Sequence, residues 1–160
     1  MHTYCPEFVL NEAALADGSV PLFDVIQRPN KHLFEYTTKE LGDDGEHLAC
    51  AYLMRKGYTV LECNWRSSFG EIDIVAKDPE GELVLVEVKT SRAKPDSEYI
   101  LPELNVSKKK QEKYFLLAQH YLKTHPDFTS VRFDVIAIVM AAKNQANLRH
   151  LINSFSVDGQ

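Results

Sequence analysis

The chain has 160 residues, of which 44% are apolar, and it carries a formal net charge of −5. This length and composition are sufficient for one domain with a hydrophobic core. The acidic balance argues against a protein that coats nucleic acid non-specifically, and no apolar run approaches the roughly 20 residues that span a bilayer. We therefore expect a single globular domain that makes no contact with a membrane.

The first residues and the cysteines indicate the cellular compartment. The opening stretch, MHTYCPEFVLNEAALADG, lacks the basic and apolar regions of a secretory signal. Cys5, Cys50 and Cys63 are odd in number, lie far apart and form no Cys-x-x-Cys pair. Such thiols are typically reduced, because disulfides persist mainly in oxidising compartments. We expect a cytoplasmic protein.

Residues 1–36 have a different pattern from the remainder of the chain. They contain three prolines and no sustained hydrophobic period, so we predict a poorly ordered N-terminal extension followed by one domain over residues 37–160. The apolar run VPLFDVI at 20–26 is suited to docking, either on this domain or on a partner. In the second case the chain would act as a protein-interaction module.

From residue 37 onward the chain alternates between helical and extended patterns. The first helix is predicted from an N-cap at Thr37 or Thr38 to Arg55 or Lys56, with Gly57 just beyond its end. The remaining predicted elements are strands at 58–65, on both sides of a turn within 70–89, at 131–140 and at 148–156, and a helix from a cap at Ser107 to about Lys123. The order αβββαββ implies an α/β fold with a mixed sheet flanked by helices.

The stretch GEIDIVAKDPEGELVLVEVK, residues 70–89, is a predicted hairpin with acids inside otherwise apolar strands. A turn at 79–81 gives a register in which paired residue numbers sum to 160, so Asp73 lies opposite Glu87. Ile72 and Ile74 are then expected to share the other face of the strand. Like charges directly opposite each other destabilise a sheet. A bound cation would remove this repulsion, and oxygen ligands of this kind select Mg²⁺ or Mn²⁺.

Two further charged residues are expected beside this pair. Glu46 shares one helical stripe with Gly42 and Leu53, and small residues on that stripe would allow the helix to approach the sheet closely. Lys89 lies two residues beyond Glu87 and therefore on the same strand face. Taken alone, each charge is typical of a solvated surface. In combination they predict one polar pocket.

Several segments of the chain resemble a known family. They are, in order, LGDDGEHLACAYLMRKGYTVLECNWR, GEIDIVA, LVEVKT, VSKKKQEK and RFDVIAI. The resemblance, over about residues 37–156, is to the YraN-type family of small uncharacterised bacterial proteins. That family belongs to the PD-(D/E)XK nuclease superfamily and is similar to archaeal-type Holliday-junction resolvases. By position, Asp73, Glu87 and Lys89 fall on the D…(D/E)-x-K signature, and Glu46 falls on the helical acid of the resolvase-like branch.

The resemblance implies a restriction-endonuclease-like αβββαβ core and a metal-dependent nuclease that hydrolyses phosphodiesters in structured, branched DNA. Asp73, Glu87 and the carbonyl of Val88 would hold Mg²⁺ or Mn²⁺. Glu46 would complete the metal shell directly or through water. Lys89 would orient or deprotonate the attacking water, or neutralise the phosphate in the transition state. The predicted catalytic residues are therefore Glu46, Asp73, Glu87 and Lys89, of which the first three are the predicted metal ligands.

The second predicted helix begins with three lysines, where the helix dipole disfavours cations. A phosphate held at the helix start would offset this cost, although a basic solvated turn is an alternative. Trp65 could stack on a base or pack in the core. Asp134 is expected to be a buried structural acid paired with a cation such as Arg66. The predicted nucleic-acid-binding residues are Arg66, Lys108, Lys109, Lys110, Gln111 and Lys113.

Three functions are consistent with the sequence. The first is the metal-dependent nuclease, with DNA as its partner, branched DNA included. The second is a nucleic-acid binder that keeps the fold and does not cleave, and the third is the protein-interaction module. No membrane contact is expected, and a homodimer is an open alternative to a monomer.

Overall fold

The computed structural model describes residues 19–21, 31–93, 106–141 and 145–155. In chain order the elements are β1 (Ser19–Pro21), a 3-10 helix (Leu33–Glu35), α1 (Thr38–Arg55), β2 (Thr59–Ser67), β3 (Gly70–Lys77), β4 (Leu83–Arg92), α2 (Lys108–Thr124), β5 (Val131–Ala141) and β6 (Gln145–Leu151). The run from α1 to β5 is the αβββαβ order of an endonuclease-like core, which confirms the predicted α/β fold class.

The six strands form one mixed sheet in the order β1-β6-β5-β4-β3-β2. Strands β4 and β5 are parallel, and every other neighbouring pair is antiparallel. Parallel neighbours require a crossover connection, and the segment containing α2 supplies it. Within the described part of the chain, no helix is both long and apolar enough to cross a membrane.

The predicted extension, residues 1–36, is described only at 19–21 and 31–36. There, β1 pairs with β6 at the edge of the sheet, a 3-10 helix spans Leu33–Glu35, and Tyr36 is buried. The boundary at residue 37 stays a prediction. Most of the run at 20–26 lies outside the described residues.

Helix α1 begins and ends where the sequence predicts. Thr37 is the N-cap: its side chain accepts a hydrogen bond from the Glu40 N–H at 3.2 Å, and the Glu40 carboxylate accepts one from the Thr37 N–H at 2.8 Å. This reciprocal pair satisfies two N–H groups that a helix start leaves open. At the other end Gly57 has a φ of +85°, a conformation that glycine adopts without strain.

The hairpin register is confirmed along most of its length. The ladder between β3 and β4 runs from Lys77–Leu83 to Ile74–Val86, and each pair sums to 160 as predicted. The ladder ends there, and the N–H of Val88 instead donates to the carboxylate of Asp73 at 2.7 Å. Asp73 and Glu87 are therefore not a ladder pair, because the Asp73 side chain takes the position of a backbone acceptor.

The sheet is buried on both faces. Leu48 and Leu53 of α1 pack in a cluster on one face, and Tyr114 and Leu117 of α2 pack in a second cluster on the other. Neighbouring residues of β4 alternate between the two clusters, as expected for a central strand. The core therefore rests on helix packing from both sides, which is typical of sheets with crossover helices.

The predicted common face of Ile72 and Ile74 is wrong. Ile74 lies in the α1 cluster, whereas Ile72 lies in the α2 cluster. Strand β2 shows the cause: Cys63 pairs with Ile74 and Trp65 with Ile72, and Asn64 between them has a φ of +52°. A left-handed residue inside a strand interrupts the two-residue alternation of side chains. Cys63 and Trp65, on either side of Asn64, therefore lie on opposite faces of the sheet, and so do their partners on β3, Ile74 and Ile72.

The predicted partner of Asp134 is also wrong. Asp134 is 1% exposed and accepts hydrogen bonds from Arg132 at 3.0 Å, His150 at 2.9 Å and the Asn153 N–H at 2.8 Å. Arg66 pairs instead with Glu71. Since β4 and β3 separate β5 from β2 in the sheet, Arg66 cannot reach Asp134. The acid is buried and structural, as expected, with a different cation.

Candidate functional site

The candidate site lies where β3 and β4 separate, and Asp73 is at its centre. Asp73 is half-buried, and burial is the largest cause of a pKa raised to about 7. The negative charge of Glu87 raises that pKa further, the Val88 N–H lowers it, and Glu46 raises it again. Asp73 therefore interacts electrostatically with both of the other predicted acids.

Glu87 points toward α2. Its side chain is only 13% exposed and forms an ion pair with Lys110. The hydroxyl of Tyr114 donates a hydrogen bond to the second carboxylate oxygen. Burial, followed by the nearby charges of Glu87 and Asp73, holds the pKa of Tyr114 far above its ordinary value. One turn of α2 thus supplies both an ammonium and a hydroxyl group to Glu87.

Glu46 approaches from the other helix. It lies on α1 and accepts a hydrogen bond from the Asn64 side-chain amide at 2.8 Å. Burial raises the pKa of Glu46, and the hydrogen bond from Asn64 lowers it. The left-handed backbone of Asn64 therefore coincides with its contact to a predicted site residue. Asn64 was not among the predicted site residues. Its signal in the sequence was an asparagine inside a strand, since asparagine tolerates the left-handed conformation.

Gly45 sets how closely α1 approaches the sheet. A Cβ atom at Gly45 would lie 2.8 Å from Cβ and 2.9 Å from Cγ2 of Thr90 on β4, and closer still to its Oγ1. A Cβ at Gly42 would meet nothing within 4 Å. The predicted close approach of α1 to the sheet is confirmed, and Ala49 of the predicted stripe is fully buried. The close contact lies at Gly45, directly before Glu46, and not at Gly42, because Gly45 faces the central strand.

Lys89 lies on β4, two residues beyond Glu87, and is half-buried beside β5, where it is in register with Ala137. Within the described ranges, no group of three or more Asp, Glu, His or Cys side chains is placed to hold a metal ion. The donor set nevertheless matches a hard cation in kind, since Asp73 and Glu87 offer carboxylate oxygens whose charges repel each other. The predicted metal site and the catalytic roles stay predictions.

The predicted nucleic-acid-binding residues divide into groups with different surroundings. Lys108 and Lys109 are exposed at the start of α2, behind the N-cap Ser107, whose side chain accepts from the Lys110 N–H at 3.3 Å. Gln111 donates to the carbonyl of Val106 at 2.8 Å, which secures the approach to the helix. Lys110 alone of this group contacts a predicted catalytic acid.

The remaining basic residues lie near the β2–β3 turn. A Cβ at Gly70 would lie 2.6 Å from the Lys113 ammonium nitrogen, so this lysine passes directly over the turn. Arg66 is 75% exposed and lies 3.1 Å from Glu71. Lys113 and Arg66 thus present positive charge at the end of the sheet that also carries Asp73.

An aromatic group lies beside these cations. Trp65 packs edge-on against Tyr121, with ring centroids 5.1 Å apart, and belongs to the margin of the α2 cluster. Of its two interpretations, packing in the core is the one the structure bears out. Phe69 is 44% exposed, and the centroid of its ring lies 5.7 Å from that of the His120 ring. Phe69 is therefore an exposed aromatic side chain at the β2–β3 turn, and its position in that turn was its signal in the sequence.

Comparison with known proteins identifies the family. The model of "Uncharacterised protein family UPF0102" matches residues 45–138. A UPF0102 protein of Trichlorobacter lovleyi is 40% identical over 117 residues, covering 73% of this chain and 91% of that protein. A UPF0102 protein of Thermodesulfovibrio yellowstonii is 44% identical over 116 residues, covering 72% of this chain and 96% of that one.

One solved structure also overlaps in part. It is described as Pyrococcus furiosus SfsA in complex with Ca²⁺, with 17% identity and a TM-score of 0.32, covering 70% of this chain and 62% of that one. The sequence relatives and the family model suffice: the chain belongs to the UPF0102 family, as its resemblance to YraN-type proteins predicted.

Proposed function

We propose that this protein is a metal-dependent nuclease that hydrolyses phosphodiesters in structured, branched DNA. The observation that carries the proposal is the placement of Asp73 beside Glu87 where β3 and β4 separate. A half-buried carboxylate whose pKa is raised by burial and by the charge of a neighbouring carboxylate, as that of Asp73 is by Glu87, is typical of functional sites. The repulsion between the two carboxylates destabilises the protein unless a proton or a cation offsets it.

In this proposal the predicted site residues have separate roles in binding the metal ion and in orienting water. Asp73, Glu87 and the carbonyl of Val88 would hold the divalent ion, with Glu46 completing the shell directly or through water. When bound, the ion would polarise the phosphodiester and lower the pKa of a water molecule. Lys89 would orient that water or neutralise charge that develops on the phosphate. Asn64 holds the Glu46 carboxylate toward β2.

The cations of α2 support a polyanionic substrate. Lys108 and Lys109 are exposed, and Lys113 and Arg66 extend the positive charge along the same end of the sheet. These side chains would contact phosphates and so position the DNA without reading its sequence. Phe69, exposed at the turn, offers a surface on which an unpaired base could stack.

One observation favours a second candidate, a nucleic-acid binder that does not cleave. Lys110 and Tyr114 already satisfy both oxygens of Glu87, so an internal cation compensates this acid. In the nuclease, Lys110 would have to release Glu87 before this acid could act as a metal ligand. In the non-catalytic binder, the ion pair between Lys110 and Glu87 would persist, and no metal ion would be needed.

Cleavage of a substrate panel decides between the two. Four-way junctions, flaps, linear duplexes and the corresponding RNAs would be incubated with Mg²⁺, Mn²⁺ or EDTA. The nuclease predicts metal-dependent cleavage that Asp73→Asn and Glu87→Gln each abolish, whereas Glu80→Gln, at an exposed acid in the β3–β4 turn, retains it. DNA binding without cleavage under every metal condition supports the second candidate.

Titration with Mn²⁺ tests the role of Lys110. If this lysine competes with the ion for Glu87, Lys110→Gln binds Mn²⁺ more tightly than the parent protein does. Glu87→Gln removes the shared ligand and should bind it more weakly. Equal affinity for the parent, Lys110→Gln and Glu87→Gln would exclude Glu87 from the metal site.

A further inference from the structure

Two cysteines from different elements meet beside the candidate site. Cys50 lies on α1 and Cys63 on β2, and their Sγ atoms are 3.4 Å apart. Both are reduced thiols in the structure. A disulfide has an S–S distance of about 2.05 Å, so the sulfur atoms would need to approach by about 1.3 Å.

The two thiols differ in their access to solvent. Cys50 is 1% exposed and packs among the buried residues of the α1 cluster. Cys63 is half-buried at the margin of the same cluster. Cys63 is therefore the more exposed of the two residues, and Cys50 lies behind it in the core. This combination of one accessible thiol with a neighbouring second thiol is typical of reversible oxidation sites.

The pair also lies next to a contact of the candidate site. Cys63 directly precedes Asn64, which donates to Glu46 at 2.8 Å. Cys50 lies four residues after Glu46, one turn along α1 and on the same side of the helix. A bond between the cysteines would join α1 to β2 at the place where Asn64 and Glu46 connect the same two elements.

We propose that Cys50 and Cys63 are a redox modification site that forms a reversible disulfide on exposure to a peroxide. The Cys63 sulfur attacks one peroxide oxygen, the O–O bond breaks, and the products are a sulfenic acid on Cys63 and one water molecule. The Cys50 sulfur then attacks the Cys63 sulfur, the S–O bond breaks, and the leaving oxygen departs as a second water molecule with the Cys50 proton. Two thiols are oxidised by two electrons in total, and one hydrogen peroxide is reduced to two waters.

This proposal does not depend on the nuclease function, because its readouts are a covalent bond and a melting temperature. The fully reduced chain would be treated with a small excess of hydrogen peroxide, and the remaining thiols would then be blocked with N-ethylmaleimide. After proteolysis, mass spectrometry is expected to find the Cys50 and Cys63 peptides joined, with two hydrogens lost. Dithiothreitol should separate them.

The third cysteine supplies the matched control. Cys5→Ser is expected to leave the joined peptides unchanged, whereas Cys63→Ser and Cys50→Ala each abolish them. If one of these two variants fails to fold, the other still tests the disulfide. Oxidation should raise the melting temperature of the parent by several degrees, since a cross-link restricts the unfolded chain, and should not do so for Cys63→Ser.

Three outcomes would overturn the proposal. The first is the absence of joined peptides in the oxidised parent. The second is a Cys5–Cys63 disulfide that forms as readily as the Cys50–Cys63 disulfide. The third is accumulation of sulfinic acid on Cys63 while Cys50 is still alkylated after unfolding, which would show that the second thiol does not reach the first.

Discussion

The substitution Gly45→Ala tests how α1 is positioned over β4. The added Cβ would lie 2.8 Å from Cβ and 2.9 Å from Cγ2 of Thr90, whereas carbon atoms in ordinary contact are about 3.5–4.0 Å apart. Thr90 cannot rotate its Cβ away, because that atom is fixed by the backbone of a central strand. Restoring ordinary contact would require the two Cβ atoms to separate by about 0.7–1.2 Å, so the helix must move outward.

The expected cost follows from two opposing effects. Inserting a methyl group into a packed interior costs about 1–3 kcal/mol, and replacing glycine by alanine inside a helix returns about 0.5–1 kcal/mol. We expect a net loss of about 0–2.5 kcal/mol in the free energy of unfolding. For a protein of this size, each kcal/mol corresponds to roughly 2–4 °C in melting temperature.

Gly42→Ala is the matched control, because it makes the same chemical change in the same helix and its Cβ would meet nothing within 4 Å. This variant should be more stable than the parent by about 0.5–1 kcal/mol in urea denaturation. Combining Gly45→Ala with Thr90→Ala removes Oγ1 and Cγ2 and should recover part of the loss, a coupling that a double-mutant cycle measures. Equal stability of Gly42→Ala and Gly45→Ala would refute the close approach.

The remaining predictions concern charge. Because the folded state raises the pKa of Asp73 to about 7, protonated Asp73 stabilises the fold below about pH 4, and this contribution is lost as the pH rises through 7. Melts of the parent and of Asp73→Asn should therefore diverge across that window, in favour of the variant at higher pH. The pKa of Asp134 shifts in the opposite direction: burial raises it, but the hydrogen bonds from His150 and Arg132 lower it by more. The stability that ionised Asp134 contributes is therefore present above about pH 4 and is lost on acidification. Asp134→Asn should cost about 3–5 kcal/mol, measured in urea at pH 7. Replacing Lys108 and Lys109 together by glutamine should raise stability by about 0.3–1 kcal/mol each, weaken DNA binding and reduce the slope of log affinity against log salt by roughly one per lost phosphate contact.

Each of these predictions has a contradicting result. Parallel pH profiles of the parent and Asp73→Asn would show that Asp73 does not titrate in the window. Asp127→Asn, at an exposed acid, controls for the loss of one negative charge, and Asp134→Asn must be clearly less stable than it. DNA affinity that is unchanged at two salt concentrations after the double lysine replacement would remove the start of α2 from the binding surface.

Lys110 shows why the lysines at the start of α2 should not be treated alike. From the sequence, all three were expected to weaken the helix and to bind phosphate. In the structure, Lys110 forms an ion pair with the largely buried Glu87, so replacing it removes a compensating charge from an acid. Its loss should lower stability, in contrast to the loss of Lys108 or Lys109. This difference arises because Glu87, the partner of Lys110, lies on β4, 23 residues earlier in the chain. A local sequence pattern around Lys110 does not reveal this contact.

The sequence by itself determined the features that depend on near neighbours in the chain. The caps of α1 are set by Thr37, Glu40 and Gly57, which lie at the spacing that helix termini require. The hairpin register from Ile74–Val86 to Lys77–Leu83 follows from the turn between the strands. The αβββαββ order from α1 to β6 follows from the alternation of hydrophobic periods. Local hydrogen bonding and backbone sterics decide these properties, so a short window of residues contains the information.

Only the tertiary structure decided which charges meet. Asp73 leaves the ladder to accept the Val88 N–H, Lys110 reaches Glu87, and Asp134 pairs with Arg132 and not with Arg66. These contacts depend on strand order, on a left-handed residue inside β2 and on how closely two helices approach the two faces of the sheet. Each of these is fixed by packing among residues distant in sequence, where a shift of one residue or one helical turn exchanges the partner of a charge.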